Sequence, residues 1–68
     1  MVQVAVIQKD GDWSVFKDGS VIERGGTRSS CIRRAEEIAF EAEGRGEAVE
    51  LVIQDYTGEV KTRTSGRS

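Results

Sequence analysis

The stretch Ser29–Glu43, which reads SSCIRRAEEIAFEAE, is the only segment of this sequence with a sustained helical period. At about 100° per residue, its apolar side chains fall on one stripe of small and medium-sized residues. The stripe consists of Cys31, Ile32, Ala35, Ile38, Ala39 and Ala42. A helix with such a face can lie close to a sheet, so the rest of the chain is expected to supply that sheet.

The ends of the helix are predicted from the residues that flank it. Ser29 or Ser30 can cap the first turn, and neither is followed three residues later by Glu or Gln, which predicts a cap without a capping box. Gly44 is predicted to adopt the left-handed conformation that stops the helix. The Gly-Gly-Thr-Arg stretch at residues 25–28 is predicted to form a loop.

Short strand-like segments surround the helix. Val2–Gln8 and Glu50–Asp55 are apolar on both faces, which predicts central strands. Trp13–Lys17 and Ser20–Arg24 each follow an Asp-Gly turn and predict two more strands, the second one short. Glu59–Thr64 alternates Val and Thr with cations, which predicts an edge strand whose cations point outward and block further pairing.

The resulting order is β-β-(β)-α-β-β. It predicts an α+β fold of two layers, with one helix packed on a mostly antiparallel sheet of four to five strands. We predict a single domain over residues 1–64 and a frayed tail over residues 65–68.

The composition excludes several classes of protein. The chain has 68 residues, one cysteine and no histidine, so it can form neither an internal disulfide nor a zinc or iron–sulfur site of its own. It offers no nucleophile–base pair and is too small for a deep pocket, so we predict that it is not an enzyme and needs no cofactor. So small a core favours self-association, most simply as a homodimer.

Charge and hydropathy bear on location and partners. The net charge is −2, which argues against general attraction to nucleic acid or to an anionic membrane. No apolar run approaches the roughly 20 residues of a membrane span, and the first residues do not resemble a signal peptide. With one cysteine and no export signal, a cytoplasmic location is expected.

Four arginines define an alternative binding hypothesis. Gly25 and Gly26 precede the predicted helix, where free N–H groups and the helix dipole favour an anion. The cations around them are Arg24, Arg28, Arg33 and Arg34. They could bind a phosphate or a nucleic-acid backbone. They could equally be balanced by neighbouring carboxylates around a solvated turn.

Three aromatic residues are candidate interface residues. Phe40 lies about 140° from the centre of the apolar stripe, so it is either a contact surface or is covered by residues 46–49. Trp13 is either a stacking platform or a core anchor, and the facing of Phe16 is open. Cys31 is either a reactive thiol or a small buried hydrophobe.

The motifs resemble those of a family of small bacterial proteins of unknown function. The family pattern is Gly-x-Trp-x-Val, then a helix opened by Thr with Glu-Ala soon after, then Glu-Leu-Val-Ile and Asp-Gly-x-Ile. Gly11–Val15 match the first motif and Glu50–Ile53 match Glu-Leu-Val-Ile. This sequence lacks the early Glu-Ala and has Thr57-Gly58 in the last turn. The resemblance, over residues 2–62, implies a bacterial source and a β-β-α-β-β fold, and it implies no activity.

Together these observations predict a small interaction or structural module. It is expected to self-associate through the sheet face that the single helix cannot cover, and a different protein partner is also compatible with that face. The alternative is phosphate or nucleic-acid binding through the arginine cluster.

Overall fold

A computed structural model of the protein describes residues 1–65. It contains, in chain order, β1 (Val2–Lys9), β2 (Asp12–Lys17), β3 (Ser20–Gly26), α1 (Arg28–Gly44), β4 (Val49–Gln54) and β5 (Val60–Ser65). One helix packs on one five-stranded sheet, which confirms the predicted α+β fold. Residues 66–68 of the predicted frayed tail lie outside the described residues.

The sheet has the strand order β3-β2-β1-β4-β5. Three neighbouring pairs are antiparallel, whereas β1 and β4 are parallel, with Val4 opposite Leu51. The parallel pair requires a crossover, and α1 supplies it between β3 and β4. Both strands that are apolar on two faces, β1 and β4, lie inside the sheet as predicted.

Two Asp-Gly turns connect the first three strands. Asp10 and Gly11 have φ of 53° and 85°, and Asp18 and Gly19 have φ of 50° and 86°. Positive φ at both central positions is the conformation whose twist suits a two-residue hairpin. Asp18 also ties its turn to β1, because its Oδ1 accepts from the Gln3 N–H at 2.9 Å and its own N–H donates to the Gln3 carbonyl at 2.8 Å.

The core lies between α1 and one face of the sheet. The predicted stripe supplies five buried residues, and only Ile32 at its side is partly exposed. The buried helix residues are Cys31, Ala35, Ile38, Ala39 and Ala42. The sheet residues that meet them are Val2, Val4, Val6, Trp13, Val15, Val49 and Leu51.

The start of the helix differs from the prediction. Thr27 is the cap: its hydroxyl accepts from the Ser30 N–H at 3.1 Å, and Ser30 Oγ accepts from the Thr27 N–H at 3.0 Å. A capping box is therefore present, with Ser in the place usually held by Glu or Gln. The predicted loop shrinks to Thr27 because β3 continues to Gly26, where an added Cβ would lie 2.8 Å from Ser30 Oγ.

The end of the helix also differs. Gly44 remains helical, Arg45 is the cap, and Gly46 takes the left-handed conformation with φ of 82°. The Gly46 N–H donates to the Glu43 carbonyl at 2.9 Å. The segment Gly44-Arg45-Gly46 offers two glycines at which the helix can stop, and the chain uses the second one.

The β5 cations are exposed, as predicted, but they lie on the side of the sheet that carries the helix. Lys61 and Arg63 pair in register with Ile53 and Leu51, which places them on the helix side of the sheet. The alternation along β5 is as predicted, but the strand register decides which set of side chains faces which side.

We expect Thr27→Ala to lower the free energy of unfolding by about 1 kcal/mol, because it removes the acceptor for the Ser30 N–H. Urea unfolding followed by circular dichroism measures the change. The matched control is Ser29→Ala, which should stay within about 0.5 kcal/mol of the parent. An equal loss in both variants would contradict the assignment of the cap.

Candidate binding surfaces

The sheet face opposite the helix carries a row of partly exposed apolar residues. Phe16 of β2 lies between Ala5 of β1 and Val21 of β3, and Val52 continues the row on β4. Ile7 lies beside this row on β1. Ala5, Ile7, Phe16 and Val52 are half-buried, and Val21 is 43% exposed. We call these five residues the open face.

Polar groups border the open face at both ends of the strands. Arg24 lies opposite Ser14 at one end. At the other end, Gln3 Nε2 donates to Glu50 Oε1 at 2.8 Å, and the exposed Asp18 turn lies nearby. The apolar row therefore has a polar rim, which is the general anatomy of a protein interface.

A second surface lies on the helix side, between α1 and β5. It is a groove of about 310 Å³ whose floor is formed by Ile32, Leu51 and Ile53. Three cations and one carboxylate border it, namely Arg28, Lys61, Arg63 and Asp55. We call it the β5 groove. The excess of positive charge distinguishes it from the rest of this acidic protein.

Arg28 is held in place at one end of the β5 groove. Its Nε donates to the Gln54 carbonyl at 3.2 Å. Its Cζ lies 5.1 Å from the centroid of the Tyr56 ring and 5.9 Å from that of Trp13, which is within cation–π range. The two rings meet edge to face, with centroids 5.7 Å apart.

The structure separates the roles of the aromatic residues. Trp13 is a core anchor, because it is 6% exposed and lies beneath the helix, so it does not contribute to the open face. Phe16 does contribute. Tyr56 is 71% exposed, and the sequence reasoning missed it. Its position in the turn between β4 and β5 is the signal that could have identified it.

Phe40 lies on another surface altogether. It is 79% exposed on α1, so residues 46–49 do not cover it. The open face is on the opposite side of the sheet from α1, so Phe40 cannot share one flat contact surface with Phe16.

The six residues of the predicted anion site do not converge. Arg24 borders the open face, Arg28 the β5 groove, and Arg34 a third groove beside Ile22 and Ile38. Arg34 lies 3.6 Å from a Glu37 carboxylate oxygen. The remaining residues are Arg33, which is exposed, and Gly25 and Gly26, which belong to β3. Strand alternation and the helix rotation point these arginines in different directions.

Cys31 is completely buried against the sheet. Burial raises the pKa of its thiol, and the nearby Glu23 carboxylate raises the pKa further, whereas hydrogen bonds with Ser30 and Gly26 oppose that shift. The thiol form is therefore favoured, and this cysteine packs as a small hydrophobe.

The chain belongs to a family described as an uncharacterized protein conserved in bacteria (DUF2188), whose model matches residues 4–66. This match confirms the resemblance to a bacterial family of unknown function. No curated protein and no solved structure matches the chain. Within residues 1–65, no helix is both long enough and apolar enough to cross a bilayer.

We expect Cys31 to react with a thiol reagent such as DTNB far more slowly in the native protein than after unfolding in urea. The reason is that burial removes both access and thiolate. Absorbance of the released thiolate measures the rate at neutral pH. Rapid native reaction would contradict the buried position, and Glu23→Gln should leave the protection in place because burial is the larger cause.

Proposed function

We propose that this protein is a non-enzymatic interaction module that forms a homodimer through the open face. One observation carries the proposal: a five-stranded sheet has its helix on one face only, while the other face presents a continuous apolar row. Apolar surface released from water on pairing supplies about 25 cal/mol per Å². A second copy supplies a surface of the same shape and chemistry.

The open face is suited to a two-fold arrangement. An axis along the row from Val21 to Val52 would stack the row on its own copy. Rotation about this axis exchanges the two ends of the strands. Each end of one sheet therefore lies over the opposite end of the other sheet. Arg24 would then approach the partner copy's Asp18 turn, so opposite charges meet at the rim.

The size of the face predicts a weak dimer. Five strands about 4.8 Å apart, each with about six residues at 3.3 Å, give a face of roughly 400 Å² per copy. Specific interfaces usually bury about 800 Å² per partner. The expected dissociation constant is therefore in the micromolar range, and the oligomeric state should depend on concentration.

The proposal excludes catalysis by this domain. Among residues 1–65, no three His, Cys, Asp or Glu side chains are placed to hold a metal ion, and Cys31 is buried with its thiol form favoured. We propose the cytoplasm as the location of the protein.

The separation of Arg24, Arg28 and Arg34 weighs against the alternative, in which these arginines would act together on a phosphate or nucleic-acid backbone.

We expect Val21→Glu to shift the protein to a monomer, because the proposed axis runs along the row and would set the new carboxylates of the two copies against each other. Sedimentation velocity between about 5 and 500 μM covers the expected affinity range. Ile22→Glu is the matched control, since Ile22 is 42% exposed on the same strand but lines a groove on the helix side. A parent protein that is monomeric throughout this range refutes the proposal.

Phe40→Ser tests whether the dimer contact lies on the open face or at the exposed Phe40 on the helix. Because Phe40 is exposed on the helix, we expect this change to leave the oligomeric state unaltered and the free energy of unfolding within about 0.5 kcal/mol of the parent. Sedimentation velocity and urea unfolding measure the two quantities. Loss of the dimer in Phe40→Ser, with the dimer retained in Val21→Glu, would move the interface to the helix.

A further inference from the structure

The geometry points to a second binding site at the β5 groove, which accepts an extended peptide that alternates acidic and apolar residues. The peptide would add to β5 as a sixth strand. This inference does not depend on the proposed dimer, because its hydrogen bonds come from the edge of β5 and its charge contacts from the helix side, whereas the dimer uses the five residues of the open face.

Backbone groups of β5 point outward at the edge of the sheet, where an added strand can pair with them. Among the residues that the structure describes, β5 is an edge strand whose one neighbour is β4. The Asp55 N–H donates to the Glu59 carbonyl, and in an antiparallel ladder such pairs alternate with pairs whose groups point away. Continuing the register, Lys61 and Arg63 bond to β4, whereas the N–H and C=O of Thr62 point away from the sheet. An added strand can bond to Thr62 without disturbing β4.

The side chains on the helix side specify acidic partners. Lys61 and Arg63 are two residues apart and flank the groove. Residues directly opposite them on an added strand would lie within reach of their charges. Glutamate suits these positions, because its aliphatic stem can cover the floor formed by Leu51 and Ile53 while its carboxylate stays at the rim.

The side chains on the other side specify apolar partners. Thr62 lies in register with Val52 of the open face. A residue placed beside Thr62 on an added strand would extend the apolar row by one position. Strand alternation therefore calls for an acidic residue on one side and an apolar residue on the other, which is the pattern of a Glu-Val repeat.

The charge of β5 disfavours a second copy of the chain as its occupant. In an antiparallel pair of two β5 strands, the helix-side cations Lys61 and Arg63 would face the same cations of the other copy. Like charges opposite each other destabilise a strand pair. A partner of opposite charge turns this repulsion into attraction.

Fluorescence anisotropy with a labelled eight-residue Glu-Val repeat tests the site. We expect saturable binding that weakens with salt, and no binding of the matching Lys-Val repeat. The double variant Lys61→Glu with Arg63→Glu should weaken binding of the Glu-Val peptide by roughly tenfold or more. Absence of binding at millimolar protein overturns the inference, as does tighter binding of an oligothymidylate than of the acidic peptide.

Two measurements test strand addition itself. Thr62→Pro should abolish binding, since it removes an outward N–H at an edge position that tolerates proline, and Thr62→Val is the matched control. If Thr62→Pro fails to fold, a Glu-Val peptide N-methylated at alternate residues tests the same hydrogen bonds on the intact protein. Binding that survives both changes overturns strand addition. Binding retained in Val21→Glu shows that the site stands apart from the dimer.

Discussion

The packing of a small-residue helix face on a valine-rich sheet is the interaction on which the rest of this structure depends. Alanines and a cysteine let α1 approach the sheet closely. A helix is about 10 to 12 Å across, whereas five strands span roughly 19 Å between the outer strand axes. One helix therefore covers β1, β2 and β4 and cannot also cover β5. The β5 groove follows from this mismatch, because it lies beyond the edge of α1. The open face has another cause: residues 1–65 form one helix, and that helix lies on the other side of the sheet.

Much of the fold could be predicted from local patterns. The helical stripe from Cys31 to Ala42 and the two Asp-Gly turns each carry a physical preference that the structure retains. The parallel pairing of β1 with β4 could not be predicted. Apolar residues on both faces of a strand indicate that it lies inside a sheet, but they do not indicate which strands are its neighbours. The capping box was missed because Ser30 performs the task for which sequence rules look for a longer side chain.

The candidate surfaces were less predictable than the fold. Closeness in sequence suggested that Arg24, Arg28 and Arg34 would act together. In the structure, Arg24 lies on β3 and borders the open face, Arg28 starts α1 and borders the β5 groove, and Arg34 lies further along α1 beside a third groove. The β5 groove combines Arg28 with Lys61 and Arg63, which are more than thirty residues away in sequence. Such a combination depends on strand order and register, and these arise from the tertiary structure.

The parallel pairing of β1 with β4 has a consequence for synthesis of the chain. β1 is made first and occupies the centre of the sheet, yet its neighbour on one side is made 47 residues later, since Val2 pairs with Val49. The three-strand meander can form early, but during that time β1 presents a bare, valine-rich edge. Long-range pairing of this kind is slow, and an unpaired apolar edge is a template for aggregation. The nascent domain is therefore most vulnerable just before β4 and β5 leave the ribosome.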